Sequence, residues 1–162
     1  MKPYFIILIT LFFNSVYSQE KVSVNLLQDV KLATIGDDKR GYKAFTVNFL
    51  ARIKMQGNQQ KLGYIIIYPE YEFSDLKTKY QRYSANVGYS FNSIINNLEF
   101  EAVVSYGFIN HNGTTSSLGF WFGTNYVINK ALKINAGYQI VDRTDINKIR
   151  YSGFVGLEIK IK

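Results

Sequence analysis

The chain has 162 residues, a formal charge of +7 and no cysteine, which allows one domain and excludes disulfide frameworks, thiolate catalysis and cysteine-based zinc sites. Its 19 Lys and Arg are interspersed with 12 Asp and Glu, so the clustered basic face of a nucleic-acid binder is missing and nucleic acid is excluded as a partner. With 13 Tyr and 12 Phe against 2 Pro, the composition favours strands.

The N-terminus begins with Lys2, continues as an apolar run from Tyr4 to Phe13 and ends with Val16 and Ser18 at small-residue cleavage positions. That is the pattern of a secretory signal peptide, too short to anchor the chain across a bilayer. Cleavage after Ser18 divides the chain into a signal peptide, residues 1–18, and a mature domain, residues 19–162. No Cys follows the cut, which excludes a lipid-modified N-terminus.

The mature chain alternates with a period of two between turn signals, the pattern of half-buried strands. The first strand is expected over Val22 to Leu32, although Gln28 interrupts its apolar side and Leu27 lies opposite. After the polar loop Ile35 to Gly41, the second strand carries Phe45, Val47, Phe49, Ala51, Ile53 and Met55 on one side. The third carries Ile65, Ile67, Pro69, Tyr71 and Phe73; because Pro69 has no N–H to give, a bulge or the end of regular pairing is expected there. The loop Ser74 to Lys79 leads to a fourth strand with Tyr83, Ala85, Val87, Tyr89 and Phe91, which turns at Asn92 to Asn97. The fifth carries Leu98, Phe100, Ala102, Val104, Tyr106 and Phe108, and the loop His111 to Thr115 follows. The sixth carries Leu118, Phe120, Phe122, Thr124, Tyr126 and Ile128, and the seventh Leu132, Ile134, Ala136, Tyr138 and Ile140. After the loop Asp142 to Lys148, the eighth carries Ile149, Tyr151, Gly153, Val155, Leu157, Ile159 and Ile161.

Eight strands long enough to cross hydrocarbon when tilted predict an all-β fold, an eight-stranded antiparallel up-and-down β-barrel. Two arguments turn its apolar face outward, to lipid. That face holds no Asp, Glu, Lys or Arg, and a basic residue at mid-bilayer costs about 2–4 kcal/mol. It also carries 15 of the 21 aromatics that follow Ser18, a volume that an eight-stranded interior cannot hold together with a ligand. The alternative architecture is a secreted soluble barrel binding an apolar ligand.

The inward charges sort by height. Arg52, Lys54, Glu99, Glu101, Lys133, Glu158 and Lys160 fall toward the end nearer the termini, and Glu70, Glu72, Arg82 and Arg150 toward the other. Each set contains both signs, which predicts ion-paired plugs at both ends and little or no conductance. The pairs Glu70 and Glu72, and Glu99 and Glu101, have the spacing of an acid/base couple, yet cations in each layer favour structural pairing. No metal or cofactor site is indicated. His111, the only histidine, makes a dyad with Ser116 or Ser117 conceivable, but no orienting carboxylate lies near it in sequence; a solvated loop histidine is the plainer account.

The end of the chain, Gly156 with Ile159 and Ile161, resembles the C-terminal assembly signal of Gram-negative outer-membrane barrels. The pairs Gly88 and Tyr89, Gly119 and Phe120, and Gly137 and Tyr138 are similar to those of small OmpA/OmpX-type barrels. This sequence departs from the pattern where Ile159 and Ile161 replace aromatics and Lys162 follows. The resemblance implies residence in the cell outer membrane, termini in the periplasm, longer loops outside and recognition by the barrel-assembly machinery.

The expected function is that of a non-enzymatic integral outer-membrane barrel acting through its outer loops. Their cations Lys39, Arg40, Lys77, Lys79 and Arg143 suit lipopolysaccharide phosphates, with solvated loop charge as the plainer account. The functional alternative is an enzyme acting on outer-membrane lipid through His111.

Overall fold

The computed structural model describes residues 21–36, 43–75, 79–111, 113–146 and 148–161. The signal-peptide expectation and the cations Lys39, Arg40 and Lys77 lie outside the described residues. The elements are β1 (Lys21–Asp29), a short helix α1 (Val30–Thr34), β2 (Asn48–Gln56), β3 (Gly63–Ser74), β4 (Tyr80–Ile95), β5 (Leu98–Asn110), β6 (Thr114–Val127), β7 (Leu132–Arg143), a 3-10 turn (Thr144–Ile146) and β8 (Lys148–Lys160). Each strand pairs antiparallel with the next, and β1 pairs with β8, so the sheet closes into a barrel with no free edge.

The registers set the tilt. A row of opposed residues runs from Lys21 through Gln56, Ile66, Gly88, Val103, Trp121 and Gln139 to Ser152. The neighbouring row that starts at Val22 arrives at Tyr151, whereas at the seam Ser23 faces Lys160 and Ile161 N donates to Val22 O, so Val22 is in register with Ile161, ten residues (161 minus 151) beyond that point. A shear of this size in an eight-stranded barrel tilts the strands by about 35–45°. At the seam itself Gly156 lies opposite Leu27, and a Cβ there would collide with the Leu26 carbonyl oxygen. β8 can close on β1 at this height only because residue 156 has no side chain.

Alternation then sends the two faces to different environments. Tyr138, Phe122 and Leu157 point outward and are about half exposed (47, 54 and 48%), whereas Trp121, between two outward phenylalanines, is 2% exposed. Inside, Leu27, Leu50, Ile66, Val103, Trp121 and Phe154 form an apolar cluster set among buried polar and charged side chains. None of the helices among the described residues is long and apolar enough to cross a membrane.

Several boundaries differ from the sequence expectation, each for a local reason. β1 ends at Asp29, three residues early, because the Asp29 carboxylate accepts a hydrogen bond from Leu32 N at 3.0 Å and caps α1. β2 begins at Asn48, although the alternation starts at Phe45; Phe45 sits in a turn with φ 64°. No bulge forms at Pro69: Arg52 faces Glu70 and Met55 faces Ile67 in one unbroken register, and only the intervening pairs of the β2–β3 ladder are missing, while Pro69 stays paired with Ala85 on the β4 side. The irregularity falls instead between Phe91 and Ile95, where β4 runs on through the expected turn. β6 begins at Thr114 and β7 reaches Arg143, so these strands consume part of the expected outer loops.

Candidate functional site: the charged lumen

The inward side chains meet in three tiers. In the tier nearest the termini, Lys54 on β2 lies between Glu101 on β5 and Glu158 on β8, 2.7 Å from each. Lys133 on β7 is 2.7 Å from Glu99 and 3.7 Å from Glu158. The remaining carboxylate capacity is met by neutral donors: Ser23 donates to Glu158 (3.0 Å), Tyr64 to Glu99 (2.8 Å) and Asn125 to Glu101 (2.6 Å). Two cations against three carboxylates would leave negative charge uncompensated in a largely buried interior; these charge-assisted bonds spread it.

The middle tier centres on Glu70. Arg52 donates to it through Nε at 2.7 Å, Arg82 at 3.1 Å and Gln139 from the opposite wall at 3.1 Å. Arg82 reaches on to Ser117 and Ser105, each at 2.8 Å. The Arg52 guanidinium also lies over the Trp121 indole, 3.9 Å from its centroid, and 5.1 Å from the centre of the Tyr68 ring. Trp121 fits because Gly123 and Gly137 leave room beside its ring; a Cβ at either would strike the indole.

The tier at the loop end joins Arg150 to Glu72 (3.2 Å) and to Asp29 (3.6 Å), with Tyr80 donating to Glu72 (3.3 Å). Above it Arg143 stacks on Tyr80 at 4.1 Å and holds Asp145 through Nε at 2.7 Å, while His111 Nδ1 stands 2.9 Å from the same carboxylate. Burial opposes charge on Asp145, but the Arg143 hydrogen bonds and charge, together with His111, hold its carboxyl below the ordinary value of 3.8.

Ten of the eleven charged residues singled out from the sequence point into this network: Arg52, Lys54, Glu70, Glu72, Arg82, Glu99, Glu101, Lys133, Arg150 and Glu158. Lys160 does not. It follows the inward parity of β8 but sits at the last position of the strand, where the wall ends and its side chain is exposed. Arg52 belongs with Glu70 and not with the lower tier, since the β2–β3 register sets these two residues opposite each other. Arg143, expected in a solvated loop, lies on β7, buried and engaged with Asp145. Gly156 is at the seam, and Ile159 and Ile161 are exposed on its outer side (53 and 68%).

Sequence reasoning also missed Asp29, and it saw no carboxylate near His111, because Asp145 arrives from the far hairpin. The arrangement cross-braces opposite walls with salt bridges and hydrogen bonds, and among the described residues no cluster of His, Asp or Glu is arranged to hold a metal ion.

No family model and no curated sequence matches the chain. Among solved structures it is similar to the Yersinia pestis outer membrane protein Ail in a phospholipid bilayer nanodisc, with a TM-score of 0.57 and 11% identity, covering 87% of this chain and 99% of that one. It is similar to Neisserial surface protein A (TM-score 0.51, 15% identity, 88 and 96% covered) and to a de novo designed transmembrane β-barrel (0.52, 13%, 88 and 99%). The fold is that of a small outer-membrane β-barrel. In a transmembrane barrel of this kind the outward apolar wall faces lipid and the ion-paired tiers occupy the protected interior.

Proposed function

We propose that the mature chain is an integral protein of the outer membrane, exported by a signal peptide ending at Ser18, non-enzymatic, with a closed lumen and a structural or surface-interaction role at its loop end. The observation that carries this reading is the pairing of an exposed, uncharged apolar wall with an interior in which Arg52, Lys54, Arg82, Lys133 and Arg150 each reach a carboxylate across or along the barrel. Such an interior leaves side chains, and not a water column, between the two ends. Gly156, Ile159 and Ile161 would be read by the assembly machinery during insertion, and lipopolysaccharide would contact the loop end through exposed cations such as Lys79.

The test combines cell fractionation with heat-modifiability on gels and planar-bilayer recordings of the refolded protein. The reading expects detergent-dependent extraction with outer membranes, a folded form that migrates differently from the heated one, and little or no conductance. A detergent-free soluble protein refutes the membrane assignment, and large stable channels refute the closed lumen.

A further inference from the structure

We propose that the segment 43–47, which leads into β2, is a membrane anchor, with Phe45 seated at the boundary between headgroups and acyl chains of the outer leaflet. The inference rests on the outer-membrane reading above. Phe45 is 87% exposed, the most exposed large apolar side chain among the described residues, and its backbone sits in the left-handed region at φ 64°, which a bulky residue seldom adopts. Three hydrogen bonds hold that segment: Phe45 N donates to Ala33 O (3.2 Å), Thr46 Oγ1 to Lys43 O (2.7 Å) and Gln28 Nε2 to Thr46 O (3.3 Å). The chain therefore spends several contacts on displaying an aromatic ring that buries against nothing in the barrel.

The occupant follows from what lies directly below. Toward β2, Phe45 is followed by Val47, 45% exposed, and then by Phe49 on the strand, the start of the outward wall. Phe49 packs on Phe73 (ring centroids 5.6 Å apart) and Tyr71 (6.1 Å), and Tyr71 packs on Tyr83 (5.0 Å), forming an aromatic belt at the loop end of β2, β3 and β4. Phe45 continues that lipid-facing surface upward, so the neighbour it fits is the same lipid, one level higher. Ile35, 73% exposed just past α1, adds apolar surface, and the exposed Lys43 supplies a cation suited to a lipid phosphate.

The experiment places a fluorescent reporter in this segment and, separately, on the wall. The Phe45→Trp and Tyr138→Trp proteins are each refolded into vesicles of phosphatidylcholine and phosphatidylglycerol, with and without bromine on the upper acyl chain, and Trp121, buried in the lumen, gives a common background that is subtracted using the parent protein. The anchor expects the added indole of Phe45→Trp to lose emission in brominated vesicles and to be shielded from aqueous iodide. Emission from the Phe45→Trp reporter that iodide quenches and brominated lipid leaves unchanged, while the Tyr138→Trp reporter is quenched by the lipid, overturns the anchor and spares the membrane reading. If the Tyr138→Trp reporter in refolded barrel is untouched by brominated lipid, the membrane reading falls and the anchor with it.

Discussion

Arg52 lays its guanidinium against Trp121, 3.9 Å from the indole centroid, while its Nε donates to Glu70 at 2.7 Å. One side chain thus ties the apolar cluster inside the barrel to the ionic tier beside it. Trp121→Ala would remove the ring that fills the space beside Gly123 and Gly137 and uncover a buried cation. The expected loss is about 3–5 kcal/mol, in the range of large core truncations. Urea titration of vesicle-embedded protein, followed by the gel shift between folded and heated forms, measures it; a change of less than about 1 kcal/mol would contradict a packed lumen.

Lys54→Met should be costly for a different reason. It leaves Glu101 and Glu158 facing each other without the ammonium that now stands 2.7 Å from both. Breaking a buried pair from one side costs about 3–5 kcal/mol. Adding Glu158→Gln to the Lys54→Met protein should recover part of that loss, since one of the orphaned charges disappears; the same titration on the double variant reads the recovery.

The Asp145 clasp gives a pH dependence. Its carboxyl is held below the ordinary value of 3.8 by Arg143 and His111 against the opposing effect of burial. A depressed folded-state value means that the clasp contributes stability in full above the unfolded-state value and loses it as pH falls through the lower, folded-state one. Hydrogen exchange at the β5–β6 turn and at the 3-10 turn, taken relative to the intrinsic amide rate at each pH, should therefore stay level across neutral and mildly acidic pH and rise only below the usual carboxylate range. In Asp145→Asn that acid-dependent rise should be absent and exchange faster throughout.

Gly156→Val should block closure. The new Cβ would meet the Leu26 carbonyl oxygen and the Leu27 backbone on the adjoining strand, neither of which can rotate away. Refolding into detergent micelles should give mainly unfolded-mobility protein on unheated gels, whereas Gly153→Ala, at a position with open space around it, should fold like the parent.

The eight strands and the direction of each face were legible because period-two alternation and the side-chain chemistry of Tyr138 or Glu101 are local properties. So was the sign balance of the lumen. What could not be read is the register between strands: Arg52 was assigned a tier below Glu70, although the β2–β3 ladder sets them directly opposite. Strand ends were missed where a side chain competes with the ladder, as Asp29 does by capping α1. The His111–Asp145 contact joins two hairpins whose loop conformations no alternation encodes.

Lys54 has one further consequence. Its two carboxylates come from β5 and from β8, the last strand in chain order, and Arg150 on β8 is likewise the cation beside Glu72 and Asp29. An insertion intermediate that lacks only β8 would hold Lys54, Glu72 and Asp29 with their compensation incomplete. The interior therefore rewards the finished ring far more than seven-eighths of it, which makes closure a cooperative step and marks an unfinished barrel as a high-energy species exposed to quality-control proteolysis.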